Sequence, residues 1–133
     1  MADTLTDEQM RGLMPLAAHL GMELVEAAPE QVVARLRHAP ELCTAGGMLH
    51  GGTIMALADS TGAVAAFLNL PDGASTSTTS SSTVFLRGVS DGTVTATARP
   101  LHVGRRTIAV VVLVADDQGR PVAQVTQSQA VLS

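Results

Sequence analysis

Aromatic residues are almost absent from the 133-residue sequence, which contains two Phe and neither Trp nor Tyr. A surface that stacks nucleic-acid bases needs several such rings, and a formal net charge of −4 gives no basic footprint for a phosphate backbone. The single cysteine, Cys43, excludes an intramolecular disulfide, and it has no obvious base partner. The spacing of the histidines indicates no metal site. We therefore expect neither a nucleic-acid partner nor a bound metal.

Long hydrophobic runs are also missing. The longest uninterrupted apolar stretch, Ile108 to Ala115, is far shorter than the roughly 20 residues that a membrane-spanning helix needs. The first ten residues, MADTLTDEQM, are polar and acidic, unlike a secretory leader. The length is sufficient for one hydrophobic core but not for two. We expect a single domain over residues 1–133, cytoplasmic and without a membrane partner.

Helix and strand signals follow one another along the whole chain. An N-terminal helical segment is predicted within residues 1–20, with Thr6 and Gln9 as a capping box and Pro15 as a kink or an early end. Residues 51–68 predict a long helix that is apolar on all sides and therefore buried. The Ser/Thr-rich run after Gly73 is interpreted as a strand and not as a linker, because it continues directly into Val84. The other predicted strands are 22–28, 31–38, 92–101, 106–116 and 121–132.

Short turns separate the last four predicted strands. Such turns favour antiparallel pairing between strands that are neighbours in the sequence. One long apolar helix needs a sheet that curves around it. The sequence therefore predicts an α+β fold, in which a curved antiparallel β-sheet wraps around one long central helix.

One acidic residue, Asp59, interrupts the apolar helix. A carboxylate among apolar neighbours is costly unless it is paired, hydrogen-bonded or functional, so Asp59 is a candidate site residue. The alternative is that it faces solvent or caps a break at Ser60.

At the start of the helix, His50-Gly51-Gly52 offers free backbone N–H groups that suit a developing oxyanion. The alternative there is a tight turn with a histidine cap.

The spacing of these two features has a consequence for assembly. Gly51 and Asp59 are eight residues apart, or about 12 Å along one helix. A base or nucleophile and an oxyanion donor must both come within about 3 Å of one carbonyl group. Two helices packed antiparallel across a two-fold axis would place Gly51 of one beside Asp59 of the other. If both residues are catalytic, the protein is at least a homodimer with two shared sites.

The segment from Gly47 through His50-Gly51-Gly52 to Leu57-Ala58-Asp59 resembles the hotdog-fold acyl-CoA thioesterases of the phenylacetic-acid-degradation (PaaI) and 4-hydroxybenzoyl-CoA thioesterase type. Further similarity at Val84-Phe85-Leu86-Arg87 and His102-Val103-Gly104-Arg105-Arg106 extends it over roughly residues 20–132. The resemblance implies a hotdog fold and hydrolysis of an aryl- or medium-chain acyl-CoA to a carboxylic acid and free CoA. Coenzyme A would be part of the substrate, with no further cofactor, and the dimers would join into a homotetramer.

The same resemblance implies roles for individual residues. Asp59 is similar to the catalytic carboxylate of the family, either as nucleophile or as base for a water. The Gly51 N–H resembles the oxyanion donor, with Gly52 beside it at the substrate. His50 would shape the thioester end of the site, and Thr78 would lie near the attacking water.

Two positions depart from the family pattern. Thr44 stands six residues before His50, where the family usually has Asn or Gln, and it keeps one hydroxyl for the thioester. Ala63 replaces the Thr of the hydroxybenzoyl type. The phosphates of CoA are expected near Arg87, Gly104, Arg105 and Arg106, although ordinary exposed arginines are the alternative.

Two other functions stay open at this point. Thr44 favours a non-catalytic hotdog protein that binds acyl groups. A thioesterase acting on acyl-carrier-protein thioesters would instead depend little on Arg105 and Arg106. Release of free thiol distinguishes the first of these from a CoA thioesterase.

Overall fold

The computed structural model describes residues 5–133, so residues 1–4 of the predicted N-terminal segment lie outside the described part. It confirms the α+β class and the single long central helix. The elements, in chain order, are α1 (Asp7–Leu13), α2 (Pro15–Leu20), β1 (Glu23–Ala28), β2 (Gln31–Arg37), a 3-10 turn (Pro40–Leu42), α3 (Gly51–Phe67), β3 (Ser75–Phe85), β4 (Thr93–Val103), β5 (Thr107–Ala115) and β6 (Pro121–Leu132).

The N-terminal segment is two short helices because local signals divide it. Thr6 and Gln9 cap each other reciprocally at the start of α1, as the capping box predicts. Pro15 lacks a backbone N–H, so α1 ends at Leu13 and α2 begins with the proline in its first turn. Gly21 then ends α2 in the left-handed conformation, at φ 83°.

Six strands form one antiparallel sheet in the order β1-β2-β4-β5-β6-β3. Alternate residues of each inner strand point to the same face, and α3 packs against that face. The core consists of buried aliphatic side chains from both layers, including Leu57, Val94, Val110, Val112 and Val125. No helix of residues 5–133 has the length and apolarity to cross a membrane.

The predicted pairing between neighbouring strands is wrong for β3. This strand pairs with β6 along residues 75–85, whereas β4 lies between β2 and β5. The turn predicted from Gly88 to Gly92 is instead part of a connection, residues 86–92, that carries the chain from one edge of the sheet to its interior. As an edge strand, β3 keeps most of its hydroxyl-bearing side chains outside the core. The strand with the most Ser and Thr therefore lies open along one side.

Candidate active site

Asp59 lies near the middle of α3, where the helix faces β3 and β6, and its side chain is half-buried. Two donors bind the same carboxylate oxygen: Thr78 Oγ1 lies 2.7 Å and Gln127 Nε2 2.9 Å from Asp59 Oδ1. No donor from residues 5–133 binds Oδ2. One oxygen is thus fixed in place, and the other is available to a reacting group.

A second layer of hydrogen bonds fixes these donors. Gln129 Nε2 donates to Thr78 Oγ1 at 2.7 Å, which leaves the single hydroxyl proton of Thr78 for Asp59. Thr76 Oγ1 lies 3.1 Å from Gln129 Oε1 and 2.9 Å from the carbonyl of Ala130. Such a network restricts the rotamers of its members, so the carboxylate is held in one orientation.

Gln127 and Gln129 are site residues that sequence reasoning missed. Both are almost completely buried, at 1% and 0% exposure, on the face of β6 that also buries Val125. The sequence does contain a signal for them. Alternate residues of a strand share a face, and the two positions that continue the buried face after Val125 hold Gln127 and Gln129 instead of apolar residues. Buried amides require partners, so they indicated a polar group on the element packed against that face.

Gly62 makes room for one of these amides. A Cβ at this position would overlap the side-chain carboxamide of Gln127, so a larger residue requires a displacement. The oxygen of that amide, Gln127 Oε1, is buried and has no hydrogen-bond partner among residues 5–133. The close approach of α3 to β6 thus aims Gln127 at Asp59.

Within the described part of the chain, one backbone donor in the first turn of α3 has no partner. His50 is the N-cap: its Nδ1 accepts from the Gly52 N–H at 2.8 Å, and its carbonyl accepts from Thr53 and Ile54. The N–H of Gly51 has no partner among residues 5–133. Because the helix dipole adds a partial positive charge here, this N–H can stabilise an oxyanion.

The other candidate residues lie apart from Asp59 within one protomer. Thr44 is exposed in a turn, where its backbone N–H donates to Met48 and its carbonyl accepts from Gly47. Gly104, Arg105 and Arg106 form the turn between β4 and β5. The two helix features, Gly51 and Asp59, lie about 12 Å apart along α3, so one protomer does not bring them together.

The arginines that could bind phosphate are exposed. Arg87, Arg105 and Arg106 have no acidic partner within the described residues, whereas Arg99 donates to Gln31 at 2.8 Å. A free guanidinium is suited to a bidentate contact with a phosphate group. Among residues 5–133, no three His, Cys, Asp or Glu side chains form a metal-binding cluster.

Cys43 does have a histidine neighbour, contrary to the sequence reading. Its Sγ lies 3.1 Å from His38 Nε2 and 3.2 Å from the carbonyl of Ala39. The same His38 nitrogen lies 2.8 Å from the carbonyl of Gly47. These contacts connect the end of β2 to the loop that leads into α3.

A family model described as "Thioesterase superfamily" matches residues 46–123, which include His50, Gly51, Asp59 and Thr78. Rv1847 of Mycobacterium tuberculosis, which has a provisional esterase name, is 36% identical over 84% of this chain and 81% of its own length. Its solved structure matches with a TM-score of 0.87, covering 90% of this chain and 98% of that one.

Two further matches bear on the activity and the fold. The proofreading thioesterase EntH of Cronobacter turicensis is 32% identical over 88% of this chain and 85% of its own length. The PaaI protein from the phenylacetic acid degradation operon of Escherichia coli is 23% identical, with a TM-score of 0.87 over 95% of this chain and 90% of that one. At that identity, PaaI shows a common fold, and the fold is the hotdog fold predicted from the sequence.

Proposed function

The chain belongs to the thioesterase superfamily, and from that membership we propose that it hydrolyses acyl-CoA thioesters to a carboxylic acid and free CoA. The observation that carries this proposal is the Asp59 carboxylate, in which Thr78 and Gln127 bind Oδ1 while no donor from residues 5–133 binds Oδ2. A fixed carboxylate with one free oxygen is suited to attack a thioester carbonyl, or to take a proton from an attacking water.

Both routes end in the same products. As a nucleophile, Oδ2 bonds to the acyl carbon, the C–S bond breaks, and water then cleaves the resulting anhydride. As a base, Oδ2 takes a proton from water while the water oxygen bonds to the acyl carbon and the thiolate leaves. Thr78 is a positioning residue in either case, because its hydroxyl proton is directed at Asp59 and not at water.

The oxyanion donor comes from a second protomer in this proposal. The free Gly51 N–H and the free Asp59 Oδ2 lie on one helix, too far apart for one carbonyl group. Antiparallel packing of two α3 helices would bring Asp59 of one protomer to Gly51 of the other. Two equivalent sites then form per homodimer, with Gly52 and His50 shaping the thioester end and the hydroxyl of Thr44 available from the same loop. Pairs of such dimers would form the homotetramer that the family resemblance implies.

Coenzyme A is the proposed thiol carrier. Support comes from the exposed Arg87, Arg105 and Arg106, none of which has an acidic partner among the described residues. The turn at Gly104 holds two of these guanidinium groups on one short loop. An acyl carrier protein would need a protein-sized docking surface and would depend less on Arg105 and Arg106.

The first test replaces the carboxylate. We expect Asp59→Asn to lower kcat for thiol release from acyl-CoA by about 10²–10⁴-fold, because the neutral amide is neither a base nor a nucleophile. The matched control is Asp91→Asn, which changes an exposed aspartate on the connection between β3 and β4. Thiol release is followed for aryl and aliphatic acyl-CoAs, after both variants match the wild type in circular dichroism and oligomer size.

Three results would contradict the proposal. Equal rates for wild type and Asp59→Asn would remove Asp59 from the chemistry. Hydrolysis of acyl-carrier-protein thioesters alone would assign a different carrier. Binding of acyl-CoA without release of thiol by the wild type would indicate a binding protein, and Thr44 would be the first residue to exchange for Asn.

A further inference from the structure

An apolar pocket of about 280 Å³ opens between the N-terminal helices, α3 and the start of β3. Its lining includes Leu13 and Met14 from the N-terminal segment, Ala63, Val64 and Phe67 from α3, and Ser75 and Thr76 from β3. The proposed chemistry does not use any of the apolar side chains among them.

The pocket begins next to the candidate carboxylate. Ala63 follows Asp59 by one helical turn, about 6 Å along the same side of α3. On β3, Thr76 lines the pocket and Thr78 binds Asp59. These two residues lie on one face of the strand, so β3, like α3, leads from the carboxylate to the pocket. A group whose carbonyl lies at Asp59 can therefore extend directly into the pocket.

Two hydroxyl-bearing residues of β3, Ser75 and Thr76, line the mouth of the pocket. The hydroxyl of Thr76 lies within hydrogen-bond distance of Gln129 Oε1 and the Ala130 carbonyl. Away from β3, the wall consists of Leu13, Met14, Val64 and Phe67. A hydroxyl placed against these side chains would give up hydrogen bonds to water and find no polar side chain among them as a replacement.

We propose that this pocket receives the tail of an unsubstituted, apolar acyl group of medium length, and that the N-terminal segment sets its length. The inference rests on the proposed thioesterase function and specifies its substrate class. A cavity of about 150 Å³ accommodates benzene, so 280 Å³ corresponds to a chain of about eight to ten carbons. Ring-hydroxylated acyl groups fit this wall poorly.

The test compares octanoyl-CoA with butanoyl-CoA, whose tail is too short to reach far past Ala63. We expect Ala63→Leu to lower the ratio of kcat/KM for octanoyl-CoA to that for butanoyl-CoA by about tenfold, since the new side chain fills the pocket. Leu13→Ala should lower the same ratio severalfold. Leu16→Ala is the matched control: Leu13 and Leu16 are 62% and 60% exposed, but Leu16 does not line the pocket.

A second comparison uses one added hydroxyl. Octanoyl-CoA should exceed 8-hydroxyoctanoyl-CoA in kcat/KM by roughly 10- to 100-fold for the wild type, and by less for Leu13→Ala, which removes part of the apolar wall. A ratio near one for the wild type, or a preference for 4-hydroxyphenylacetyl-CoA over octanoyl-CoA, would overturn the inference. So would an octanoyl-to-butanoyl ratio that Ala63→Leu leaves unchanged.

Failure of the inference can be told apart from failure of the proposed function. If the wild type releases thiol from no thioester, the function is wrong, and calorimetric binding of octanoyl-CoA then tests the pocket alone. Weaker binding by Ala63→Leu than by wild type and Leu16→Ala would still support the pocket. Equal binding by all three proteins would reject it.

Discussion

Gly62 affects both the packing of α3 against β6 and the position of the Asp59 carboxylate. A Cβ there would overlap the Gln127 carboxamide, which donates to Asp59 Oδ1. Helix propensity alone favours Ala over Gly by about 1 kcal/mol, so an unconstrained glycine in α3 would be a site for stabilisation. Because overpacking of a buried position costs about 1–3 kcal/mol, the steric overlap outweighs that gain.

We therefore predict that Gly62→Ala lowers the free energy of unfolding by about 1 kcal/mol and also lowers kcat, because Gln127 no longer holds Asp59. Urea unfolding at a fixed protein concentration and thiol release measure the two effects. Gly12→Ala is the control, since a Cβ at that exposed helical glycine meets nothing within 4 Å. Stabilisation of both variants would show that Gln127 moves aside freely.

At the scale of helices and strands, the accuracy of the sequence reading depends on how local the cause is. Thr6, Gln9 and Pro15 act within one or two turns, so the capping box and an interruption at Pro15 were predictable, although two separate helices were not predicted. The Ser/Thr run was identified as a strand from its β propensity and its continuity with Val84. Its pairing with β6 was not identified, because that contact joins residues about 50 positions apart and depends on the whole sheet.

The residues of the candidate site also differ in whether local sequence could predict them. Asp59, Gly51 and His50 stand out because a single helix carries them, and helical spacing relates them directly. Gln127 and Gln129 belong to a strand whose packing partner is known only once the sheet is assembled. Local sequence therefore indicated the candidate carboxylate and the candidate oxyanion donor but not the residues that hold the carboxylate.

The contact between α1 and β1 gives a prediction for pH. The backbone N–H of Leu24 donates to Asp7 Oδ1 at 2.7 Å and lowers the pKa of that carboxyl; partial burial opposes this, and Arg11 lowers the pKa further. A lowered pKa in the folded state means that the contact contributes stability above about pH 4. That contribution is lost as the pH falls through the folded-state pKa.

We expect hydrogen exchange of the Leu24 and α1 amides, corrected for intrinsic rates, to accelerate as the pH falls from about 5 to 3. Asp7→Asn should remove this pH step, because its amide does not titrate. Glu8→Gln, at an exposed position in the same turn, should keep it. A step that persists in Asp7→Asn would assign the transition to another carboxylate.

At the scale of the whole molecule, a shared site predicts that two inactive variants restore each other. Gly51→Pro removes the candidate oxyanion donor, and proline is well tolerated at the first position of a helix. Gly51→Ala keeps the N–H and adds a similar contact with the ring of Phe85, so it is the matched control. We expect Gly51→Pro to lose activity by about 10²–10³-fold relative to Gly51→Ala.

Mixing Gly51→Pro with Asp59→Asn, after dissociation and reassembly, should recover about a quarter of wild-type activity. Half of the statistical dimers are mixed, and each mixed dimer has one intact site out of two. Thiol release before and after subunit exchange measures the recovery. Two variants that stay inactive together, although mass spectrometry detects mixed dimers, would show that Gly51 and Asp59 do not act across the interface.

The contact between Gly62 and Gln127 also limits how this sequence can diverge. A larger residue at position 62 fits without overlap when position 127 becomes smaller, and a smaller residue there leaves Asp59 with one donor fewer. The two positions, on α3 and on β6, are therefore expected to change together in descendants of this protein. A lineage that loses the glycine should show relaxed selection on Asp59. The first sign of lost catalysis would then be a substitution at position 62, which does not touch the substrate.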